Sequence, residues 1–481
     1  MAVRVQGNTA MARVDASRPI RIALEHRVLK PELSFFDYGC GRGGDVEWLM
    51  RKGWKAKGWD PIHRPRTRRS VTETVALTYV LNVIESAAER RAALADAWRL
   101  TASILIVSAR LIDERDQAHS RPRGDGWTTT RGTFQKFFDH LELGGFIQNV
   151  TGVEPVPAAP GVYYVFKRSF ERESFVSRRY SLRAPAPYQR KSDQAFIANR
   201  ELLNELIEFF ARHGRLPRSE EISTGTQVIQ KFGSLAKAFR AVEVVTDHDE
   251  WLALSARRRV DLLVYLALKL LDGEYRMSDL APISQNDVRA HFGSLKTALL
   301  TARRLLFGVG NTQNIDLACR SSSVGKLTPT ALYVHIDAYE HLPAILKVFE
   351  GCARRLLGEV EEATLIKLYR TGKGVSYLAY PDFDRVAHPS LRRSDVVDLV
   401  DLRHSVRTYL DGPTSPILHR KETFIHKSDS RWERFSAVTR QEEEIGLLGK
   451  NVMIGLRHQW DALLLERGAV IDGHSITVSQ F

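Results

Sequence analysis

The segment Phe35-Phe-Asp-Tyr-Gly-Cys-Gly-Arg-Gly-Gly-Asp45 constrains this chain most, because an apolar strand ending in an acid runs straight into a glycine-rich turn and then a helix. Glycines at 39, 41 and 43 let the backbone turn sharply and approach a ligand with no Cβ in the way. The helix that follows opens with free N–H groups. Twenty-three residues after Asp37, Gly58-Trp59-Asp60 supplies a second acid at the end of a short second strand, where a ribose diol can be held. Val75 to Glu85 reads as the next buried strand, with Asn82 at its carboxyl end. Ala87 to Leu100 reads as an amphipathic helix with Ala93, Leu94, Ala97, Trp98 and Leu100 on its apolar face, and Ser103 to Val107 as another buried strand. Alternating strands and helices predict an α/β fold with a parallel, doubly wound, Rossmann-like sheet. Only fourteen residues lie between Asp60 and Val75, too few for a full third strand and its helix, so the adenine pocket is expected to be short or closed from elsewhere.

Two cofactor classes compete for this geometry. A nicotinamide or flavin site reads G-x-G-x-x-G, with a pyrophosphate at the helix N-terminus. Here the order is Gly39-x-Gly41-x-Gly43, preceded by Asp37. A carboxylate there repels a pyrophosphate and suits a cationic, phosphate-free ligand such as S-adenosyl-L-methionine. A purely structural turn is the alternative, and Cys40 reads as a small turn residue rather than a nucleophile.

These residues also carry a family resemblance. Arg13-Val-Asp-Ala-Ser-Arg-Pro19, Asp37 to Gly43, Gly58-Trp-Asp-Pro61 and Leu81-Asn-Val-Ile-Glu85 resemble the bacterial methyltransferase family associated with DNA phosphorothioation. The likeness continues through Val375 to Asp384, Pro416-Ile-Leu-His-Arg-Lys-Glu422, Thr439 to Glu443 and Gly473-His474, so it covers most of the chain. It implies a class I methyltransferase domain and an association with sulfur modification or restriction of DNA, with proteins of such a system as partners. Resemblance to class I enzymes further implies that Asp37, Gly39, Gly41 and Gly43, with Tyr38 and Cys40 in the same turn, hold the methionine part of the donor. Asp60 then holds the ribose, and Asn82 with Val83 forms the edge facing substrate. Asn82, Glu85 and His419 are the catalytic candidates. The Asp/Asn/Ser-Pro-Pro-Tyr/Phe signature of DNA amino-methyltransferases is replaced by Leu81-Asn-Val-Ile84, and no Pro-Cys pair offers a nucleophile for C5-cytosine chemistry. The acceptor stays open, and a non-catalytic DNA-binding or complex-forming component on the same scaffold is the competing reading.

Charge points toward anions: 70 Lys and Arg against 57 Asp and Glu give +13 over 481 residues. Much of it is local, in Arg64-Pro-Arg66-Thr-Arg68-Arg69 and in Arg178-Arg179-Tyr180 through Lys191, with Tyr180 and Tyr188 interleaved. DNA is the expected partner. No run approaches the ~20 apolar residues of a membrane helix, and three scattered cysteines make no disulfide framework. A cytoplasmic protein without membrane contact is expected.

The expected organisation is a methyltransferase domain over 1–170, a basic linker over 171–192, a helical repeat region over 193–322 and a small α+β domain over 323–481. Phe146-Ile147 and Tyr163 to Phe166 read as late strands of the first domain. In the middle region Lys231-Phe-Gly-Ser-Leu-Ala-Lys-Ala-Phe239 echoes His291-Phe-Gly-Ser-Leu-Lys-Thr-Ala-Leu299, each copy following a glycine, Gly214 or Gly273, and an apolar helix. The unit resembles small helical repeats found beside DNA-acting enzymes. That implies recognition helices capped by serine, with Lys237 and Lys296 reaching phosphate; the alternative is a packed bundle with its phenylalanines as core. Asp382, Asp384 and His388 have metal-ligand chemistry but read as a structural loop, and no metal is expected. In the 416–422 cluster His419 has general acid–base chemistry, Arg420 and Lys421 can grip an anion, and Glu422 can orient them. A surface salt-bridge patch is the alternative there.

Overall fold

The computed structural model describes residues 15–115, 121–129, 132–181, 199–246, 248–449 and 454–478. They divide into two compact units, Met1–Phe175 with Arg354–Glu361, and Val176–Ala353 with Glu362–Phe481.

In the first unit, α1 (Arg18–Glu25) precedes β1 (Phe35–Tyr38), α2 (Gly44–Arg51), β2 (Ala56–Trp59), β3 (Thr72–Thr78), α3 (Ala87–Leu100) and β4 (Thr101–Ser108). Three short strands, β5 (Arg121–Arg123), β6 (Gly126–Thr128) and β7 (Phe134–Gln135), form a small separate sheet before α4 (His140–Thr151), β8 (Val156–Ala159) and β9 (Val162–Phe166). The main sheet runs β2-β1-β3-β4-β9-β8. β1 to β4 are parallel, while β9 runs antiparallel to β4 and β8 to β9. The chain steps outward from β1 to β2 and then crosses back to β3 on the other side of β1. This reversal opens a crevice at the carboxyl ends of β1 and β3. The α/β, Rossmann-like class expected from the sequence is what this order shows. β2 is the sheet edge, and residues 61–71 form no further strand or helix.

Every residue of β1 and β9 is buried, as strands covered on both faces require. Phe36, Val75, Leu77, Leu105, Val107 and Val165 join Leu94 and Ala97 of α3 and Leu143 and Ile147 of α4 in one core, each large side chain contributing about 1.5–3 kcal/mol. Phe146 and Ile147 thus lie on a helix, not a strand. Asp139 caps α4 through the N–H groups of Leu141 (2.8 Å) and Glu142 (3.3 Å), and Glu142 reaches back to the Asp139 N–H. β3 ends at Thr78, four residues before Asn82.

α5 (Ser169–Ser181) runs through the boundary expected near 170 and through the start of the expected linker, whose remainder from 182 lies outside the described residues. The helical region comprises α6 (Arg200–His213), α7 (Gly225–Phe232), α8 (Leu235–Val245), α9 (His248–Lys269), α10 (Pro282–Phe292), α11 (Leu295–Val309) and α12 (Thr312–Ser321). The two repeats are α6-α7-α8 and α9-α10-α11. Ser234 caps α8 through the Lys237 N–H (3.1 Å) and Ser294 caps α11 through the Thr297 N–H (3.2 Å). Phe239 is core, packed on Phe210 and Trp251 at 4.3 and 5.3 Å. Between the repeats lies a buried ionic junction: Arg215 donates to both Glu221 oxygens at 2.7 Å and to Asp287 at 2.6 Å, and Asn286 donates to Glu221 at 2.9 Å.

Beyond it, β10 (Lys326–Leu327), β11 (Ala331–His335), β12 (Leu365–Tyr369), β13 (Gly374–Ala379), β14 (Arg393–Asp398) and β15 (Arg403–Thr408) make an antiparallel sheet in sequence order, with helix α13 (Ala344–Leu357) between β11 and β12. α14 (Trp432–Glu444), α15 (Arg457–Glu466) and the hairpin β16–β17 (Ala469–Asp472, Ser475–Val478) follow. No described helix is long and apolar enough to cross a membrane.

The junction gives a stability prediction. Burial by itself raises the Glu221 carboxyl, but hydrogen bonds from Arg215, the Arg218 N–H and Asn286 outweigh it and bring the group from 4.5 to about 2. Its contribution is therefore present above about 4.5 and lost as pH falls toward 2. Arg215→Ala strands two carboxylates and is expected to cost about 3–5 kcal/mol in denaturant unfolding. The part of the acid sensitivity that belongs to Glu221 should also shrink in the variant.

Candidate active site

A cleft of about 440 Å³ opens at the β1/β3 reversal, with Asp37, Tyr38, Gly39, Cys40, Gly41, Asp60 and Val83 among its lining residues. It is large enough for a nucleoside-sized ligand. The turn after β1 is built as the sequence suggests: Gly39, Gly41 and Gly43 have φ of 82°, 53° and 88°. A Cβ on Gly39 would stand 2.5 Å from Val80 Cγ2, so glycine is needed there for space as well as for conformation.

Asp37, only 3% exposed, is the next-to-last residue of β1 and lines the cleft below the turn. Asp60 organises both rims of the cleft. Its Oδ2 accepts from the Gly41 N–H at 3.1 Å, while Oδ1 accepts from the N–H groups of Ile62 and His63 at 2.9 and 2.8 Å. A carboxylate offers about four acceptor positions, so one remains for a ligand hydroxyl. Burial, and then the charge of Asp37, push the Cys40 thiol up to about 12, which disfavours its thiolate. Tyr38 lines the cleft, donates to Asp96 at 3.3 Å and packs on Trp59 at 5.1 Å.

The N-terminus of α2 is already occupied by the chain's own charges. Asp45 is buried in the first turn and accepts the Ser17 N–H at 2.6 Å. Glu47 pairs with Arg64, whose guanidinium lies where a Cβ on Gly43 would be and also donates to the Arg42 carbonyl at 3.1 Å. Gly43 therefore serves the arginine rather than the cleft.

Asn82 is not at a strand end and does not line the cleft. Its fully buried amide donates to the carbonyls of Lys136 (2.5 Å) and Arg110 (3.3 Å) and accepts the Arg110 N–H at 2.8 Å, stitching three loops together. Glu85 is likewise turned away, gripping Arg123 through both oxygens at 2.7 and 2.8 Å. The cleft instead gains Trp59, His63, Tyr79, Glu89, Arg110, Glu114 and Gln135, none of them singled out from the sequence as cleft residues. Tyr79 has φ 57°, a conformation rare for a bulky side chain. Arg110 follows the end of β4, where the carboxyl-edge rule would have found it.

Among the basic candidates, Arg66 and Arg68 are exposed on the loop after β2, where residues 63–67 line a shallow depression. Arg69 packs on the Trp59 ring at 4.8 Å and pairs with Asp96 at 3.3 Å. Arg178 and Arg179 lie in the last turn of α5, and Lys237 and Lys296 are exposed in the first turns of α8 and α11.

His419 belongs to the second unit and is buried there. Its Nε2 donates to the Ile454 carbonyl at 2.6 Å, and burial drives its pKa down to about 3, leaving a neutral ring at physiological pH. Lys421 donates to the carbonyls of Phe383 and Val386, both at 2.6 Å, and burial brings it down to about 7. Glu422 accepts from Thr439 at 2.8 Å, so His419, Lys421 and Glu422 are held by internal contacts, whereas Arg420 pairs with the exposed Glu443 in a surface salt bridge. Asp382 pairs with Arg385, Asp384 with Arg431 and His388 with Glu442. No group of three His, Cys, Asp or Glu among the described residues is arranged to hold a metal.

No protein-family model matches the chain, and no curated protein does. Similar solved structures include an amino pentose methyltransferase from Micromonospora echinaspora with S-adenosylmethionine bound (14% identity, 34% of this chain and 95% of that one, TM-score 0.26). A sugar N-methyltransferase from Streptoalloteichus (15%, 32% and 87%, TM-score 0.27) and a possible histamine N-methyltransferase from Thermotoga maritima (15%, 31% and 94%, TM-score 0.22) are others. At these scores the sheet order, not the likeness, assigns the fold class.

Gly39→Ala is expected to lose about 1–2 kcal/mol from its left-handed backbone, with the Val80 collision adding to this. Gly145→Ala, in α4 with no atom within 4 Å of a new Cβ, should be neutral or stabilise by up to about 1 kcal/mol. Paired urea titrations compare them.

Proposed function

We propose that the protein is an S-adenosylmethionine-dependent methyltransferase acting on or near DNA, in company with a phosphorothioation or restriction system. The observation that carries the cofactor is the charge at the glycine turn. Asp37 lies beneath it, and Asp45 and Glu47 fill the helix N-terminus where a dinucleotide would place its pyrophosphate. Of these, Asp37 and Asp45 line the cleft and disfavour a diphosphate while attracting an ammonium or sulfonium; Glu47 is paired with Arg64. Asp37 and the turn backbone would hold the amino-acid end, Asp60 the ribose, and the apolar side chains of Ile62, Val80 and Ile84 the base.

When bound, the donor supplies a methyl group already made electrophilic by its sulfonium, so little covalent help is required. The chain's own residues align the acceptor and exclude water. Arg110, Glu114 and Gln135 are among the polar groups lining the cleft that can meet the acceptor, and Glu114 can take up its proton. Glu114 also accepts the Leu111 N–H at 3.0 Å, which fixes its direction. Support for a DNA acceptor comes from Arg66 and Arg68, exposed beside the cleft, from the net charge of +13, and from the family resemblance in the glycine-turn and 416–422 segments.

Calorimetry with S-adenosylmethionine and with NAD⁺ tests the cofactor. The donor should bind and NAD⁺ should not, and Asp37→Ala should weaken the donor at least about tenfold, the worth of one hydrogen bond to a charged group. NAD⁺ binding in preference to the donor would overturn the assignment, and no heat with either would leave a scaffold. For DNA, replacing Arg66 and Arg68 by alanine should flatten the slope of log affinity against log salt by about 1.8, two phosphates' worth. Mass spectrometry of DNA from cells with and without the gene then identifies the methylated atom.

A further inference from the structure

The antiparallel sheet of the second unit has one closed face and one that is open over part of its breadth. On the closed face Leu332, Val334, Ile366, Leu368, Val375 and Val397 are buried, and the buried Tyr377 hydroxyl donates to Glu350 of α13 at 2.9 Å. The strand registers place Tyr333, Lys367, Ser376, Val396 and Ser405 in one row across the other face. Alternation along β12 and β15 adds Tyr369, Arg403 and Arg407 to that side. One end of it is covered: Leu365, Leu378 and Ser394 are buried there, the two leucines in one core with Phe424, and Tyr333 meets Phe424 with ring centroids 6.5 Å apart. Across the rest, Ser376 is buried and donates to the Tyr369 hydroxyl at 3.2 Å, Lys367, Tyr369 and Val396 are half-exposed, and Arg403, Ser405 and Arg407 are exposed.

Rings and cations alternate on this surface. The Lys367 ammonium lies 4.5 Å from the Tyr369 ring centroid and 5.3 Å from that of Tyr333. Gly374, beside Tyr369 across β13, carries no side chain to cover it. The carboxylate on this face, Asp398, is turned to cap the β14–β15 turn, accepting the N–H groups of Val400 (2.8 Å) and Asp401 (3.0 Å). What faces outward is therefore aromatic and positive.

We propose that this open sheet face, built on Tyr333, Lys367, Tyr369, Arg403 and Arg407, binds single-stranded nucleic acid. The tyrosines offer platforms on which unpaired bases stack, and the cations track the phosphates. A duplex hides its base faces and gains nothing from the rings. The surface is independent of the methyl-transfer cleft and stands without it.

Fluorescence anisotropy of a labelled oligothymidylate of about ten nucleotides, a single-strand site size, with the full chain tests this. Wild type should bind, and duplex of the same length should compete at least tenfold less well. Tyr369→Ala should weaken binding tenfold or more, Tyr369→Phe should retain it, and Arg407→Glu, at an exposed position, should weaken it even if the tyrosine variant folds poorly. Heat of donor binding should be unchanged in all three, which separates failure of this surface from failure of the cleft. Absence of oligonucleotide binding, unchanged affinity in both Tyr369→Ala and Arg407→Glu, or equal competition by duplex or by an acidic peptide would overturn the proposal.

Discussion

The carboxylate of Asp60 joins the pieces on which the first unit's cleft depends. It stands at the end of β2, takes the Gly41 N–H from the neighbouring glycine turn and holds the start of the next loop through Ile62 and His63. Three strands converge on that point. β1 delivers Asp37, β2 delivers Asp60, and β3 delivers Val80, which fits against Gly39 only because that residue has no side chain. A parallel sheet that reverses its winding direction brings these ends together, and the turn between them is held from both sides.

Charge then narrows what such a cleft can hold. Helix N-termini attract anions, yet here the first turn of α2 carries Asp45 and Glu47, with Arg64 paired to the latter. The usual destination of a diphosphate is spent on internal contacts, and the acid beneath the turn favours positive charge. The absence of a strand between residues 61 and 71 leaves β2 at the sheet edge, with a loop in its place that carries the exposed Arg66 and Arg68.

Local pattern made most of the scaffold legible. The glycine turn, the helix over Ala87–Leu100, the strand at Tyr163–Phe166 and the Phe-Gly-Ser repeats stand where spacing and capping chemistry put them. Asn82 shows where pattern fails. The apolar run continues past Thr78, but the strand stops there because Tyr79 takes a left-handed backbone, and the amide is needed to bond Lys136 and Arg110, 54 and 28 residues away. Phe146-Ile147 reads as a strand from its short apolar pair but lies in a helix, and the Asp139–Glu142 capping box was the signal that reading passed over. Glu114 and Gln135 entered the cleft by tertiary contact alone. In the His419 cluster, read as either acid–base chemistry or a surface salt-bridge patch, backbone carbonyls absorb the buried His419 and Lys421, while Arg420 does pair at the surface with Glu443.

Crystallography of the protein soaked in S-adenosylmethionine tests the central claim most directly. Density for the donor is expected across the carboxyl ends of β1 and β3, its ammonium toward Asp37 and its ribose at Asp60. A donor bound elsewhere, or a cleft that stays empty at saturating concentration with both carboxylates facing away from it, would contradict the account.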